Sequence, residues 1–316
     1  MKVGVTGGQG FIGGWLRREL LARGHTVTVF DRYPRTRMAD GETFFLGDVQ
    51  DPTAVTEFAA HVDGIIHLAA VLGTQETIQN PGPSAATNIL GSLNVFEAAT
   101  QYKLPVVYAG VGNAWMRDHA TGSYTISKTC AEDYTRMYNA YRDARITTVR
   151  PVNAYGPGQS VAAPYGPSKV RKILPSFTCR ALTGNPVEVY GDGQQVSDCI
   201  YVEDVARVFV TALEHTAAHG PLKTAAEVGP VESCTVGDVA ALVSRYAAEE
   251  TGRETAEIVH LPMRPGEVPG AVVRSDTSTL SPLGIDASQF VPLAEGVRRT
   301  VRWYAENWLP TWKDGT

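Results

Sequence analysis

The chain has no run of like charges, no apolar stretch near the roughly 20 residues of a membrane span, and no Cys-x-x-Cys pair. Its net charge of −5 is spread along the sequence, which argues against a nucleic-acid or anionic-membrane partner. The four cysteines, Cys130, Cys179, Cys199 and Cys234, are scattered, so neither a disulfide framework nor a thiolate metal site is expected. The seven histidines have no metal-ligand spacing either. No repeat of fixed period and no low-complexity segment interrupts the chain. Met1-Lys2 leads straight into an apolar strand rather than a leader, and a cytoplasmic location is expected. What is present is 316 residues with 43% hydrophobic content, enough for one large or two modest cores.

The first 31 residues are the most informative. A strand at Lys2-Val3-Gly4-Val5 runs into Thr6-Gly7-Gly8-Gln9-Gly10-Phe11-Ile12-Gly13, followed by an amphipathic helix and a second strand, Thr26-Val27-Thr28-Val29-Phe30, that ends in Asp31. Gly7 allows a tight turn out of the strand, Gly10 lets backbone N–H groups approach a pyrophosphate, and Gly13 lets the helix pack closely. The helix N-terminus then faces the phosphate charge. A carboxylate at Asp31 accepts both ribose hydroxyls of NAD and repels a 2′-phosphate, an effect softened by Arg32 beside it.

Strands and helices alternate through the first half. The strands are expected at Thr43–Leu46, Gly64–Ala70, Pro105–Ala109 and Ile146–Arg150. Helices are expected from Asp51-Pro52, at Thr87–Tyr102 and at Ser123–Arg142. This order predicts a parallel sheet with helices on both faces. From Pro151 onward Pro, Gly and short polar segments are denser, with helical patches at Val170–Leu182, Ser233–Tyr246 and Ala294–Trp308. The expected division is a dinucleotide-binding domain at 1–155, with a return segment near 195–220, and a smaller substrate-binding α/β region at 156–316. The second region is expected to close over the carboxyl ends of the strands.

Tyr124 and Lys128 are four residues apart, which places both side chains on one face of a helix. A nearby ammonium stabilises a phenolate and should bring the tyrosine pKa down towards the working range. Such a tyrosine takes a proton from a substrate hydroxyl while hydride leaves the same carbon.

These motifs together resemble the extended short-chain dehydrogenase/reductase family, in its branch of NAD-dependent nucleotide-sugar epimerases and dehydratases. The similarity covers nearly the whole chain: the glycine loop, Asp48-Val49, His67-Leu68-Ala69-Ala70, Asn88, Tyr124-x-x-x-Lys128, Arg150-Pro151-Val152-Asn153-Ala154-Tyr155-Gly156-Pro157, Tyr190-Gly191-Asp192-Gly193, Asp198–Ala206 and Arg264-Pro265-Gly266-Glu267. The fold implied is a Rossmann-type doubly wound parallel sheet with a smaller C-terminal substrate-binding α/β region. The cofactor implied is NAD, held by Gly7, Gly10, Phe11, Ile12, Gly13, Asp31, Arg32, Asp48, Val49, Leu68, Ala69, Ala70, Asn88, Val152, Tyr124 and Lys128. The substrate implied is a nucleotide sugar, with a UDP-sugar favoured, touched by Val111, Asn153, Tyr190 and Arg264. The helix pair Gly91–Tyr102 and Ser123–Arg142 carries apolar residues on more than one face, and the resemblance implies a homodimer through it. His67, at the end of an apolar strand, reads as a satisfied core histidine rather than a base.

Four positions depart from the family pattern. Val111 stands where a Ser or Thr would bond the substrate oxygen, and a valine can do neither half of that bond. Asn113, Ser123 or a water are the candidates to replace it, unless the chemistry does without that donor. Gly112 and Asn113 stand where dehydratases carry an acidic pair for elimination, which disfavours loss of water. Ser197 replaces an arginine, with Arg171, Lys172 or Lys169 as substitutes on the diphosphate. The expected activity is therefore 4-epimerisation through transient C4 oxidation. The alternatives are a related dehydratase, decarboxylase or ketoreductase in secondary metabolism, and a catalytically weak cofactor-binding protein.

Overall fold

A strand covered on both faces needs apolar side chains on both, and Lys2-Val3-Gly4-Val5-Thr6 is buried at every position after Lys2. This is β1 (Lys2–Thr6) of a computed structural model that describes residues 1–112, 114, 122–265 and 267–313. It is followed by α1 (Phe11–Ala22), β2 (Thr26–Asp31), β3 (Glu42–Leu46), α2 (Pro52–Ala59) and β4 (Gly64–His67). Two short turns, α3 (Glu76–Gln79) and α4 (Gly82–Ala85), precede α5 (Gly91–Gln101), β5 (Pro105–Ala109), α6 (Ser123–Tyr141) and β6 (Arg145–Pro151). The second half holds β7 (Ala154–Tyr155), α7 (Ile173–Leu182), β8 (Val187–Tyr190), β9 (Val196–Ser197), β10 (Ile200–Tyr201), α8 (Val202–His219), β11 (Ala226–Val228), α9 (Val236–Thr251), β12 (Ile258–Leu261), β13 (Val272–Val273) and α10 (Leu293–Trp303).

Seven parallel strands form the main sheet in the order β11-β6-β5-β4-β1-β2-β3. The order reverses at β1, so the crevice beyond the carboxyl ends of β1 and β4 is where a ligand of such a sheet sits. On one face α1 packs against α8, which also lies on β4, β5 and β6. Leu16, Leu20, Val205, Phe209 and Leu213 fill that layer. On the other face α2, α5 and α6 bury Phe58, Phe96 and Tyr138 with Phe30 and Tyr108. The return of the chain to this sheet thus brings α8 and also β11, beyond the segment 195–220. A separate core of Leu174, Phe177, Val189, Val243, Val297 and Tyr304 gathers α7, α9 and α10 around β8. The two halves are tied by Trp15 of α1, whose indole N–H donates to Pro157 O at 3.2 Å.

Two local expectations are modified. The strand expected at Gly64–Ala70 stops at His67, and Leu68-Ala69-Ala70 leaves the sheet. The helix expected from Thr87 begins as a π-helical turn at Ala86–Leu90 before α5. Asn88 sits in that turn with its side chain committed to Val71 N (2.8 Å), Val71 O (3.0 Å) and Ser127 Oγ (3.0 Å). Such turns widen a helix to place one side chain.

Candidate active site

The carboxyl ends of the sheet and the second region enclose a cleft of about 640 Å³. Gly7, Gly10, Phe11, Ile12 and Gly13 form one wall of it. Gly7 has φ +68°, and a Cβ on Gly13 would lie 2.7 Å from Gly8 Cα, so the loop packs as closely as glycines permit. Gly10, the N-cap of α1, gives no side-chain cap, which leaves first-turn N–H groups for an anion. Asp31 lines the cleft at the end of β2, where its carboxylate accepts from Gln9 N (3.0 Å) and Arg32 N (2.8 Å). Arg32 and Asp48 line it as an ion pair at 3.6 Å, with Asp48 also accepting from Gln50 N at 2.9 Å. Val49, Leu68, Ala69, Ala70 and Val152 complete an apolar slot. An uncapped helix end, a glycine cradle and an acid at the next strand end fit a dinucleotide.

Tyr124 and Lys128 open from α6 into the same cleft. Lys128 is buried, its ammonium 4.2 Å from the centre of the Tyr108 ring, and Tyr108 donates its hydroxyl to Lys128 O at 3.0 Å. Burial lowers Lys128 to about 7, opposed by the charge of Glu132. Burial likewise pushes the Tyr124 phenol up to about 12. The expected lowering of the tyrosine by its lysine is therefore absent from the protein alone. Withdrawal from water disfavours the phenolate.

His67 has no solvent exposure and lies behind the site. Ser92 Oγ donates to Asn88 O at 2.7 Å, so it accepts from His67 Nε2 at 2.9 Å. Nδ1 then accepts from Thr6 Oγ1 at 2.6 Å. Burial, with Lys128 nearby, lowers His67 to about 3. A folded-state pKa below the unfolded value means the unfolded chain binds the proton first as pH falls. His67 therefore removes about 4 kcal/mol of stability between pH 6.5 and pH 3. Denaturant titrations across that window will show a shallower acid limb in His67→Asn than in the parent.

Elsewhere along the cleft lining, Tyr190 lies between two guanidinium groups. Arg171 donates to its hydroxyl at 2.8 Å, and Arg264 lies 4.6 Å from its ring centre while paired with Glu267. Lys172 also lines the cleft, held below the usual lysine range by burial, with Glu76 opposing and Arg264 adding. Asn153, at φ +31°, donates to Ser197 Oγ (2.9 Å) and Asp198 O (2.8 Å), and both Asn153 and Ser197 line the cleft. Val111 is buried in the wall beside Gly110 and Gly112.

Two expected site residues do not reach the cleft among the described residues, and one lies outside them. Ser123 shares its hydroxyl with Ser84 Oγ (2.7 Å) and Pro81 O (3.4 Å) at the start of α6. Asn88 braces the loop after β4 against α6 from behind. Asn113 is outside the described residues. Gln195 and Glu188 line the cleft without any motif to announce them. Lys169 is exposed and does not line the cleft, whereas Arg171, Lys172 and Ser197 do.

Residues 3–225 match the family described as NAD dependent epimerase/dehydratase. The chain belongs to that family. It is an NAD-dependent enzyme of the extended short-chain dehydrogenase/reductase type. A UDP-N-acetyl-alpha-D-glucosaminuronate decarboxylase of Bacillus cytotoxicus is 27% identical over 96% of this chain and 97% of its own length. A dTDP-glucose 4,6-dehydratase of Mycobacterium tuberculosis is 26% identical over 100% of this chain and 97% of its own. The crystal structure of the Thermus thermophilus UDP-glucose 4-epimerase with NAD has a TM-score of 0.79 and 28% identity, covering 96% of this chain and 99% of that one. The printed activities of these three relatives are a decarboxylation, a dehydration and an epimerisation, each of a nucleotide sugar. Among the described residues no helix is long and apolar enough to cross a membrane, and no three His, Cys, Asp or Glu side chains converge as a metal site.

Proposed function

We propose that this protein is an NAD-dependent nucleotide-sugar 4-epimerase acting on a UDP-sugar. The observation that carries the reading is a single cleft lined both by the Tyr124–Lys128 pair and by the cations Arg171, Lys172 and Arg264. A sugar diphosphate occupies such a cleft with its charge against these cations and its ring against Tyr124. NAD, when bound, supplies hydride acceptance and return. Tyr124 takes the proton of the C4 hydroxyl and later gives one back, Lys128 holds positive charge beside it, and the buried walls exclude water from the 4-keto sugar. Gly7, Gly10, Gly13, Asp31 and the Leu68–Ala70 slot hold the dinucleotide in this reading. Asn153, Tyr190 and Arg264 hold the substrate, with Val111 as an apolar wall beside its reacting carbon.

Decarboxylation is the second reading, since it needs the same C4 oxidation and a relative with that printed activity covers nearly the whole chain. Elimination of water is disfavoured by Gly112, which has no carboxyl group to remove or supply a proton. Incubating the pure protein with UDP-glucose, UDP-glucuronate and their GDP and dTDP counterparts tests both. Inversion at C4 in the proton NMR spectrum supports epimerisation, and loss of the mass of CO2 from a uronate supports decarboxylation. No conversion of any of them would defeat the reading.

We also propose a homodimer through α5 and α6. Leu90 before α5, and Ile126, Tyr134 and Tyr141 on α6, are all exposed, a concentration of large apolar side chains that a second copy would cover. Sedimentation velocity will report a dimer mass, and Tyr134→Arg will return the protein to monomer. Four cysteines, none of them in a disulfide, accord with a reducing, cytoplasmic setting.

A further inference from the structure

Lys128 is a buried ammonium, 2% exposed, and among the described residues no carboxylate lies within ion-pair distance of it. The face of the Tyr108 ring lies against it, 4.2 Å from the ammonium to the ring centre. One helical turn further along α6, on the same face, stands Glu132, which is 4% exposed. Its two oxygens accept from Arg150 of β6, through Nε at 3.1 Å and through Nη2. The remaining arm of Arg150 donates to Glu227 of β11 at 3.0 Å. Two carboxylates thus share one guanidinium, and the triad carries a net charge of −1. The only other cation at Glu132 among the described residues is Arg136, 4.0 Å away, exposed, and already paired with Asp133. The Glu132 carboxylate sits directly behind the cleft wall, since a Cβ on Gly110 would lie 3.1 Å from Glu132 Oε2. Glu132 and Arg150 do not themselves line the cleft, whereas Gly110 does.

We propose that the Glu132–Arg150–Glu227 triad supplies the countercharge of the buried Lys128 ammonium, with Glu132 as the positioning residue that keeps the lysine charged for its work beside Tyr124. The inference rests on the reading of Lys128 as part of the reacting pair, and it adds why the chain spends two acids on one arginine at this place. Around Lys128 the other titratable groups are neutral or already neutralised. His67 on β4 is held uncharged, and Tyr108 on β5 and Tyr124 on α6 are protonated phenols. The Glu132 charge opposes the burial that drives the Lys128 proton off. Removing it makes the ammonium harder to keep.

The test follows the Lys128 Cε resonance against pH in full-length protein labelled with [ε-13C]lysine, before and after adding NAD. Lys128→Arg assigns the signal. The midpoint is expected to fall by about one unit in Glu132→Gln. It is expected to fall by less, in the same direction, in Glu227→Gln, which leaves the triad neutral at a partly exposed position. Glu132→Asp, which keeps the charge, should stay near the parent. The alkaline limb of kcat/KM should move to lower pH with the same ranking. A purely structural role predicts lost stability or rate with no displacement of the midpoint, and that result in folded Glu132→Gln overturns the proposal. If circular dichroism shows that Glu132→Gln does not fold, an unmoved midpoint in Glu227→Gln overturns it instead. The titration needs no turnover, so absence of activity on nucleotide sugars would defeat the functional reading while leaving this result legible.

Discussion

Tyr124→Phe will lower kcat by about 10²- to 10⁴-fold while leaving NAD affinity within a few-fold of the parent. The phenyl ring keeps the shape of a side chain that lines the cleft from α6, so packing changes little. What disappears is the only atom of residue 124 able to exchange a proton with a sugar hydroxyl. Because burial holds the Tyr124 phenol up to about 12, the unliganded protein keeps it protonated through neutral pH. The phenolate then has to be favoured by charge gathered in the closed cleft, with Lys128 as the resident contribution. Steady-state kinetics on whichever nucleotide sugar is converted, beside calorimetric NAD binding, checks both halves. A Tyr124→Phe protein with parental kcat would remove Tyr124 from the chemistry whatever the reaction proves to be.

Gly7→Ala will destabilise the fold by about 2–4 kcal/mol and weaken NAD binding by at least about tenfold. Two penalties act together. Gly7 has φ +68°, a region costly to any residue with a Cβ. The added carbon would also lie 2.8 Å from Ala69 N and 2.9 Å from Ala69 Cα, backbone atoms that cannot rotate away. The Leu68–Ala70 segment would have to shift, and it forms the slot opposite the glycine loop. Urea unfolding and titration calorimetry measure the two effects separately. Parental values in both would mean that the turn tolerates a side chain.

The parts of the fold legible in the sequence are those governed by local rules. Val3 and Val5 declare β1, the glycine spacing declares the turn and helix start, and Asp51-Pro52 declares α2. Asp51 indeed caps Thr53 N and Ala54 N there. Tyr124 and Lys128 were legible because a four-residue spacing on a helix needs no knowledge of anything else. The early end of β4 was not legible, because Leu68-Ala69-Ala70 is as apolar as the strand it leaves. The π turn at Ala86–Leu90 was hidden because its cause, the grip of Asn88 on Val71 and Ser127, joins residues distant in sequence. Arg171 on the Tyr190 hydroxyl and the Glu132–Arg150–Glu227 triad were hidden for the same reason.

The proton affinities show the limit most clearly. A lysine four residues from a tyrosine suggests a lowered phenol, and the pair, Lys128 buried and Tyr124 partly buried, has the opposite tendency, with Tyr124 up and Lys128 down. By itself the sequence determined which groups are present, their spacing along each element, and the glycine loop that only a close backbone approach explains. These follow from steric rules acting over a few residues. Only the tertiary structure decided how much water each charge keeps and which charges from β6 and β11 stand behind α6. Solvation and Coulomb energy depend on distance through space, and Arg150 of β6 joins Glu132 of α6 to Glu227 of β11 only once the sheet assembles.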